Sequence, residues 1–304
     1  MFGISLSLTP FENDHTGGIH MIQHYTFAVL GGDKRMVYAA EMLAMTGFSV
    51  LGYGLSEKPT KNVRVVSDID EALRADFFLL PIPMSRDEKT LFAPALVKPL
   101  EISEILEKAP SHAVIFGGNI KGSSDPRLTD YGKRSDFATQ NAQPTAEGAL
   151  LLAIRHLPCT VNGARIGIVG FGKIGKATAA LFHTVGAKVT VFARREEVCS
   201  VASLLGYCSA PLAELPEYVS DFRCLINTAP APVIGDAALS RMRRDALLLE
   251  LASPPYGIDL AIAEKQGLHT ILASGLPGKY APETAGHIIC KTVLTMLSEK
   301  GIVI

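Results

Sequence analysis

A short apolar run near the middle of the chain leads directly into a glycine-rich turn and then into a helical stretch. The run is Arg165-Ile-Gly-Ile-Val169, and the turn is Gly170-Phe-Gly-Lys-Ile-Gly175. Gly170 allows a tight turn, Gly172 allows the backbone to approach a diphosphate, and Gly175 allows the helix to pack closely on the strand. The free N–H groups of the helix would bind the anion. The residues predicted to bind a dinucleotide are Gly170, Gly172, Lys173, Ile174 and Gly175.

The end of the next predicted strand, residues 189–192, indicates which dinucleotide binds. A site for NAD usually has Asp or Glu about 20 residues after the first glycine, where the ribose hydroxyl lies. Arg194 and Arg195 stand there instead, and arginine suits the 2′-phosphate of NADP. We therefore expect NADP as the cofactor. The alternative is a solvated helix start, in which Glu196 and Glu197 pair with the two arginines.

Thr228 and Ala229 follow another predicted strand, residues 224–227, on the side of the sheet where a cofactor would lie. We predict that their backbone contacts the nicotinamide ribose. An ordinary turn at a strand end would explain the same two residues.

Short apolar runs alternate with stretches of helical length along most of the chain, which is typical of βαβ units and parallel sheets. Five strands are expected in each half of the chain. The predicted strands span residues 26–30, 48–51, 63–66, 76–80 and 113–116, and then 166–169, 189–192, 224–227, 247–251 and 270–272. The proline-rich residues 81–99 are expected to form a loop.

This order predicts an α/β fold of two Rossmann-like, doubly wound parallel-sheet domains with a cleft between them. The first comprises residues 1–141 and lies on the substrate side, with residues 1–24 as a polar leader. A helix opening at Pro144 would connect it to the NADP-binding domain, residues 142–282. The helix at residues 283–304 would then return to complete the first domain.

Charge and composition exclude several other classes of protein. The 29 Lys and Arg residues balance 30 Asp and Glu residues, so no strong field attracts a nucleic acid. No apolar run approaches the roughly 20 residues that span a membrane, and no signal peptide is recognised, so we expect a cytoplasmic protein. The five cysteines lack metal-binding spacing, so no metal site is expected.

Two groups of polar residues in the first half would line the cleft. The turn Gly31-Gly32-Asp33-Lys34-Arg35 lacks the third glycine of a nucleotide site and is interpreted as a polar lip, with Asp33 and Arg35 available to a substrate. Near the predicted hinge, Asn119 and Asn141 are candidate substrate ligands and Arg134 is a candidate anion anchor. Arg35 would otherwise be a surface charge at a helix start.

Arg134 also has a structural alternative, because Asp130 and Asp136 are close enough in sequence to pair with it.

The other hinge is a Gly/Pro-rich loop, residues 275–282, that leads into the last helix. Lys279 and Thr284 are predicted to contact substrate, the latter through its hydroxyl and the free amides of the helix. His287 would suit a general base near neutral pH, or else packs in the core.

Six segments in this order resemble the family of dipicolinate synthase A subunits. They are GGDKR, NAQPTAEGALLLAIRH, GIVGFGKIG, INTAP, LELAS and GLPGKYAPETAGHI. The resemblance implies an NADP-linked subunit that, with a flavoprotein-like B subunit, oxidises a dihydrodipicolinate-type precursor to pyridine-2,6-dicarboxylate during sporulation. Arg35 and Arg134 would then bind the two carboxylates of a small dicarboxylate substrate, with His287 as the third catalytic candidate. A homo-oligomer is also expected.

The layout is similar to that of formate and glycerate dehydrogenases, so a D-2-hydroxyacid dehydrogenase is an alternative. Those enzymes use an Arg and a His where this chain has Ser253 and Glu283, which argues against hydroxyacid chemistry. The run from Ser253 to Gly257 also departs from the family pattern, which puts any substrate contact from that loop in doubt. A third alternative is a non-catalytic sensor that binds NADP.

Overall fold

The computed structural model describes residues 25–302, so the leader expected for residues 1–24 lies outside the described residues. The described chain forms two six-stranded sheets in which every strand pair is parallel. The strands of the first sheet are β1 (Thr26–Leu30), β2 (Ser49–Tyr53), β3 (Arg64–Val65), β4 (Phe77–Leu79), β5 (Val114–Gly117) and β6 (Leu128–Asp130). Those of the second are β7 (Arg165–Val169), β8 (Lys188–Ala193), β9 (Cys208–Pro211), β10 (Cys224–Asn227), β11 (Leu247–Glu250) and β12 (His269–Leu272).

Both sheets have the same topology. Their strand orders are β3-β2-β1-β4-β5-β6 and β12-β11-β10-β7-β8-β9. In each sheet the chain starts at a central strand, builds one half outward, and returns to build the other half. This is the doubly wound order in which ligands bind at the carboxyl ends of the two central strands. The predicted fold of two Rossmann-like domains is therefore confirmed.

The helices lie between the strands and at the junction of the two sheets. They are α1 (Lys34–Met45), α2 (Ile69–Ala72), α3 (Ile102–Lys108), α4 (Ser135–Gln140), α5 (Ala142–His156), α6 (Lys173–Thr184), α7 (Glu196–Leu204), α8 (Leu215–Tyr218), α9 (Asp236–Leu239), α10 (Leu260–Lys265), α11 (Leu276–Tyr280) and α12 (Pro282–Glu299). Residues 275–282 are therefore not the loop expected, because α11 occupies most of this segment. Residues 81–99 contain no helix and no strand of either sheet.

The expectation of five strands in each half was wrong, because β6 and β9 were not predicted. Both are edge strands: β6 is half-buried throughout, and β9 is fully buried only at Ala210. An edge strand is paired on one side only and needs no continuous apolar run. The other two edge strands, β3 and β12, were predicted because they carry β-branched residues.

The last helix, α12, packs against α1 of the first sheet. Gly286 lies so close to α1 that an added Cβ would be 2.5 Å from the Arg35 carbonyl oxygen. Three apolar side chains of α12, those of Ile289, Val293 and Leu297, are buried in one cluster with Phe27 of β1. Burial of these side chains joins the end of the chain to its beginning. The boundaries at residues 141 and 282 stay predictions.

Two features are absent from residues 25–302. No helix in this range is long and apolar enough to cross a bilayer. The same range contains no group of three or more His, Cys, Asp or Glu side chains that could hold a metal ion.

Candidate active site

The glycine turn after β7 combines two tightly packed glycines with one that faces open space. Gly170 has a φ of +91°, and an added Cβ would lie 2.7 Å from Oγ1 of Thr228. A Cβ on Gly175 would lie 2.2 Å from the Gly170 carbonyl oxygen. Gly172 is different, because an added Cβ there would meet no atom within 4 Å. The fold therefore requires Gly170 and Gly175, whereas the missing Cβ of Gly172 leaves space for a ligand.

That space lies at the N-terminus of α6, where Lys173 and Ile174 begin the helix. Gly172 is the N-cap residue, and no side chain in the described chain caps this end. Its first N–H groups are therefore available to an anion, and the helix dipole favours negative charge there. The turn fits the diphosphate of a dinucleotide.

Two adjoining cavities lie at the carboxyl ends of β7, β8 and β9 and extend toward α8 and α9. One, of about 220 Å³, is lined by the glycine turn, residues 192–195, Leu212 and Ala229. The other, of about 500 Å³, lies between β9, α8 and α9. Arg194 and Leu212 line both cavities. Together the two cavities extend the space at Gly172 along the carboxyl edge of the sheet. The adenosine half of a dinucleotide occupies this edge in doubly wound folds.

Arg194 projects into this region without an acidic partner in residues 25–302. Glu196 does not pair with it, and Glu197 lies 3.9 Å from Arg195 rather than from Arg194. That single pair joins side chains that are 73% and 82% exposed, so it holds Arg195 only weakly. The guanidinium group of Arg194 is free to bind a phosphate.

Thr228 connects β10 to the glycine turn. Its hydroxyl donates to the carbonyl oxygen of Val169 at 2.9 Å and to that of Gly170 at 3.2 Å. The Asn227 side chain holds the next residue, because its Oδ1 accepts from the Ala229 N–H and its Nδ2 donates to the Ala229 carbonyl. These bonds fix the turn where the nicotinamide ribose is predicted to lie.

A buried carboxylate next to Asn227 was not predicted. Glu250 ends β11 and is 1% exposed. Its oxygens accept from Asn227 Nδ2 at 2.6 Å, from the Ala252 N–H at 3.0 Å, and from the N–H groups of Gly257 and Ile258 at 2.9 Å. A buried charge is stable only with such partners. The Asn227–Glu250 pair therefore fixes the loops after both β10 and β11.

Sequence could have pointed to this pair. Asn227 and Glu250 each end a strand whose other residues are apolar and buried. A polar residue at the carboxyl end of a fully buried parallel strand is unusual enough to mark a site.

The corresponding turn of the first domain is closed. The Gly31 N–H donates to Tyr53 O at 2.8 Å, and the Gly32 N–H donates to Phe92 O at 2.7 Å. Asp33 caps α1 by accepting from the Arg35 N–H. The Gly170 N–H makes the equivalent bond to Phe192 O, so the Gly31 bond only continues the strand pairing. What closes the first turn is the Phe92 carbonyl on the Gly32 N–H and the Asp33 carboxylate at the start of α1, in accord with a polar lip rather than a second nucleotide site.

Arg35 lies at the cleft but is not the free anchor that was expected. Its Nε and Nη2 each donate to Asp33 at 2.8 Å, and Nη2 also donates to the Ile82 carbonyl at 2.6 Å. The side chain is 12% exposed, and a Cβ on Gly278 of α11 would lie 2.8 Å from its Nε. Its charge is compensated, and it joins α1 and the loop after β4 to α11.

Arg134, the other candidate anchor, lies far from the cleft. It forms ion pairs with Asp136 at 2.8 Å and with Glu299 at 2.7 Å. Glu299 ends α12, whose other end lies beside Arg35, and 18 residues of helix span roughly 27 Å. Arg134 joins α4 to α12, and its charge is compensated by two carboxylates, as the structural alternative expected for Asp136. A role in anchoring substrate stays a prediction, which this placement does not support.

The other predicted residues are placed as follows. Asn119, with a φ of +54°, is exposed after β5, and Asn141 is half-buried before α5. Lys279 is exposed on α11, Thr284 is exposed in the first turn of α12, and His287 is half-buried one turn later. None of the five side chains has a hydrogen-bond or ion-pair partner in the described part of the chain. Their roles stay predictions.

Two family models match the chain, one in each half. Residues 26–137 match the N-terminal domain of the dipicolinate synthase A subunit. Residues 142–255 match the D-isomer specific 2-hydroxyacid dehydrogenase, NAD binding domain.

Similarity to individual proteins extends over nearly the whole chain. It is 33% identical to the dipicolinate synthase A subunit of Bacillus subtilis, over 92% of this chain and 98% of that protein. The crystal structure of the dipicolinate synthase A subunit from Bacillus halodurans is 28% identical, with a TM-score of 0.83 over 90% of this chain and 98% of that one. D-lactate dehydrogenase from Escherichia coli, at 13% identity and a TM-score of 0.57 over 91% of this chain and 98% of that one, shares the fold.

Proposed function

Because the chain belongs to the family of dipicolinate synthase A subunits, we propose that it oxidises a dihydrodipicolinate-type precursor to pyridine-2,6-dicarboxylate with NADP. The dihydropyridine ring loses a hydride, which reduces NADP to NADPH, and a proton, which leaves to a base or to water. Aromatisation of the ring drives both losses. The protein therefore contributes mainly binding and orientation of the ring.

The open space at Gly172 carries this proposal. The turn and the uncapped N-terminus of α6 form a cradle into which a Cβ on residue 172 would project. Thr228 and Ala229 stand where the nicotinamide ribose would rest. The match of residues 142–255 to a dehydrogenase domain supports a nicotinamide cofactor, which supplies the hydride acceptor when bound.

The substrate would bind across the cleft, where residues of α11 and α12 face the lip of the first domain. Lys279 and Thr284 offer an ammonium group and a hydroxyl to a carboxylate there. The His287 imidazole has no partner in residues 25–302 and is our candidate to accept the proton from the ring.

The choice of NADP rests on Arg194. Arg194→Gln should weaken NADPH binding by about 10- to 100-fold, because a charge-assisted hydrogen bond to the 2′-phosphate is lost, and should leave NADH binding unchanged. Arg195→Gln is the matched comparison and should have the smaller effect, because Arg195 lines only one of the two cavities. Fluorescence titration with both reduced cofactors measures this. Equal affinity of the wild type for NADPH and NADH would show that the NADP assignment is wrong.

The relatives are components of a larger enzyme, so a partner subunit is implied. We infer that this partner is a flavoprotein-like B subunit. The proposal includes a cytoplasmic setting, a role in sporulation and a homo-oligomeric assembly.

Activity is tested with synthetic dihydrodipicolinate and NADP, with and without the B subunit, by following NADPH and the pyridine product by absorbance. Formation of both supports the proposal. A parallel reaction with D-lactate tests the hydroxyacid alternative, which Ser253 and Glu283 disfavour. Cofactor binding without turnover of either substrate would favour the sensor alternative.

A further inference from the structure

One guanidinium group at the cleft edge of the first sheet has no acidic partner. Most arginines between residues 25 and 141 are paired. The pairs are Arg35 with Asp33, Arg64 with Glu71, Arg127 with Asp125, and Arg134 with Asp136 and Glu299. Within this range, only Arg74 and Arg86 lack a carboxylate within ion-pair distance. Arg74 lies three residues before β4, at the sheet edge opposite the cleft, whereas Arg86 follows β4.

The loop that carries Arg86 covers the carboxyl ends of the central strands. The Met84 N–H donates to Gly118 O at 2.7 Å, just beyond β5. The Phe92 N–H donates to Met84 O at 2.8 Å, and Phe92 O accepts from the Gly32 N–H, just beyond β1. Residues 84–92 thus form a hairpin over β1, β4 and β5, at the point where the doubly wound order places ligands.

Arg86 is held on this hairpin by an aromatic ring. Its Cζ lies 4.2 Å from the centre of the Phe92 ring. Stacking on a ring occupies a face of the guanidinium plane and leaves the N–H groups at its edge available for a carboxylate. Arg86 is exposed, so these groups are accessible.

Asp87, the acidic residue next to Arg86 in sequence, forms its hydrogen bonds within the turn of the hairpin and not with Arg86. Oxygens of Asp87 accept from the Ser85 hydroxyl, from the N–H groups of Lys89 and Thr90, and from the Thr90 hydroxyl. These bonds lower the pKa of Asp87 well below its ordinary value and hold its carboxylate in the turn. Asp87 therefore fixes the hairpin and leaves Arg86 unpaired.

The hairpin also starts beside the second domain. The loop after β4 contains Ile82, whose carbonyl accepts from Arg35, and Arg35 lies against Gly278 of α11. Because α11 follows β12, the carboxyl ends of both sheets meet in this region. Arg86 therefore stands on a hairpin that covers the carboxyl ends of the first sheet, and the loop leading into that hairpin contacts Arg35, which lies against α11.

We propose that Arg86 is a substrate-binding, specificity-determining residue that binds one carboxylate of a dicarboxylate substrate through two edge N–H groups. The inference rests on the proposed function for the identity of the ligand. It also supplies the cationic anchor that Arg35 and Arg134 do not.

The test is calorimetric titration of the NADP-saturated protein with pyridine-2,6-dicarboxylate and with pyridine-2-carboxylate. Arg86→Gln should weaken binding of the dicarboxylate by about 10- to 100-fold and should reduce its advantage over the monocarboxylate. Arg86→Lys should retain part of the affinity, because a point charge replaces the planar fork. Arg74→Gln is the control, since it removes the same charge at the opposite edge, and should change affinity less than about twofold.

The outcomes separate the two proposals. Equal affinity of the wild type and Arg86→Gln for the dicarboxylate would overturn the role of Arg86 and leave the proposed function standing. No binding of the dicarboxylate to the wild type with NADP bound would overturn the substrate class itself. Thermal unfolding of each variant, at the same midpoint as the wild type, verifies that a loss of affinity reflects the missing guanidinium.

Discussion

Gly172 and Gly175 lie three residues apart in one turn, but a side chain would have different consequences at the two positions. Gly172 has room for a Cβ on the protein side, and its φ of −75° suits any residue. Gly175 has a carbonyl oxygen where its Cβ would be. At the residue scale, Gly175 is required by the fold, whereas the role proposed for Gly172 is to leave space for the cofactor.

Paired substitutions separate these roles. Gly172→Ala should leave the thermal midpoint within about 2 °C of the wild type, because nothing in the protein is displaced, and should weaken NADPH binding by about tenfold or more. Gly175→Ala should destabilise the protein by about 1–3 kcal/mol through the clash with Gly170. Unfolding curves and cofactor titrations of both variants provide the measurement. If Gly172→Ala bound NADPH as the wild type does, the ligand would not lie in this space.

Charged residues were harder to predict from sequence than glycines. The interpretation of the turn at Gly170–Gly175 depended on neighbours within twenty residues, and the structure has the predicted strand, turn and helix. Arg134 is different, because one of its partners, Glu299, is 165 residues away. No local pattern indicated that Phe92 would lie under Arg86. The availability of a guanidinium group depends on tertiary contacts, which neighbouring residues in sequence do not reveal.

At the scale of elements, the ten predicted strands are all present, and their ends differ from prediction by at most two residues. Eight of them lie inside the sheets, where burial between two helical layers requires continuous apolar runs. The other two, β3 and β12, are exposed or half-buried edge strands whose β-branched residues made them recognisable. The edge strands β6 and β9 and the short helix α11 were missed. Pro277 and Gly278 suggested a loop, but Pro277 occupies the first turn of α11, where a proline is tolerated.

The loops after β10 and β11 depend on Glu250, which predicts a large effect of a small change. Glu250→Gln replaces one acceptor oxygen by an NH₂ group that must face either Asn227 and Ala252 or Gly257 and Ile258, all of which donate hydrogen bonds to the carboxylate. Leaving buried donors unpaired should lower the free energy of unfolding by about 2–4 kcal/mol. Urea unfolding of the variant measures this.

The control for Glu250 is Asp245→Asn, which changes an exposed carboxylate and should alter the unfolding midpoint little. An equal effect of the two substitutions would mean that Glu250 does not organise these loops. Because Asn227 also holds Ala229, Glu250→Gln should raise the Kd for NADPH as well.

At the scale of the whole molecule, the two domains share one strand topology but differ at the glycine turn after their first strand. Both sheets have a turn with glycines after their first strand, but Gly32 donates to Phe92, whereas the space at Gly172 is open. The hairpin after β4 fills the crevice of the first domain and presents Arg86 above it. One domain thus keeps an open crevice at its glycine turn, whereas the first domain, which we propose binds the substrate, has this crevice covered by the hairpin.

The ion pairs of Arg134 with Asp136 and Glu299 hold the end of α12 against α4 in the first domain. The Arg134 guanidinium lowers the pKa values of Asp136 and Glu299 below their ordinary values of 3.8 and 4.5. Carboxyls with lowered pKa values stabilise the folded state above those ordinary values, and this stabilisation is lost as the pH falls through the folded-state pKa values. Arg134→Gln should therefore lower the urea midpoint at pH 7, and the difference from the wild type should shrink below about pH 4.

The same variant tests whether Arg134 contacts substrate. Since the ion pairs lie roughly 27 Å from the cleft end of α12, Arg134→Gln should bind NADPH and pyridine-2,6-dicarboxylate with wild-type affinity. Arg165→Gln, which removes an exposed pair with Asp221 at the other sheet, controls for the loss of a surface charge. A loss of dicarboxylate affinity in Arg134→Gln, with an unchanged urea midpoint, would return Arg134 to the substrate site and contradict its role in holding the last helix.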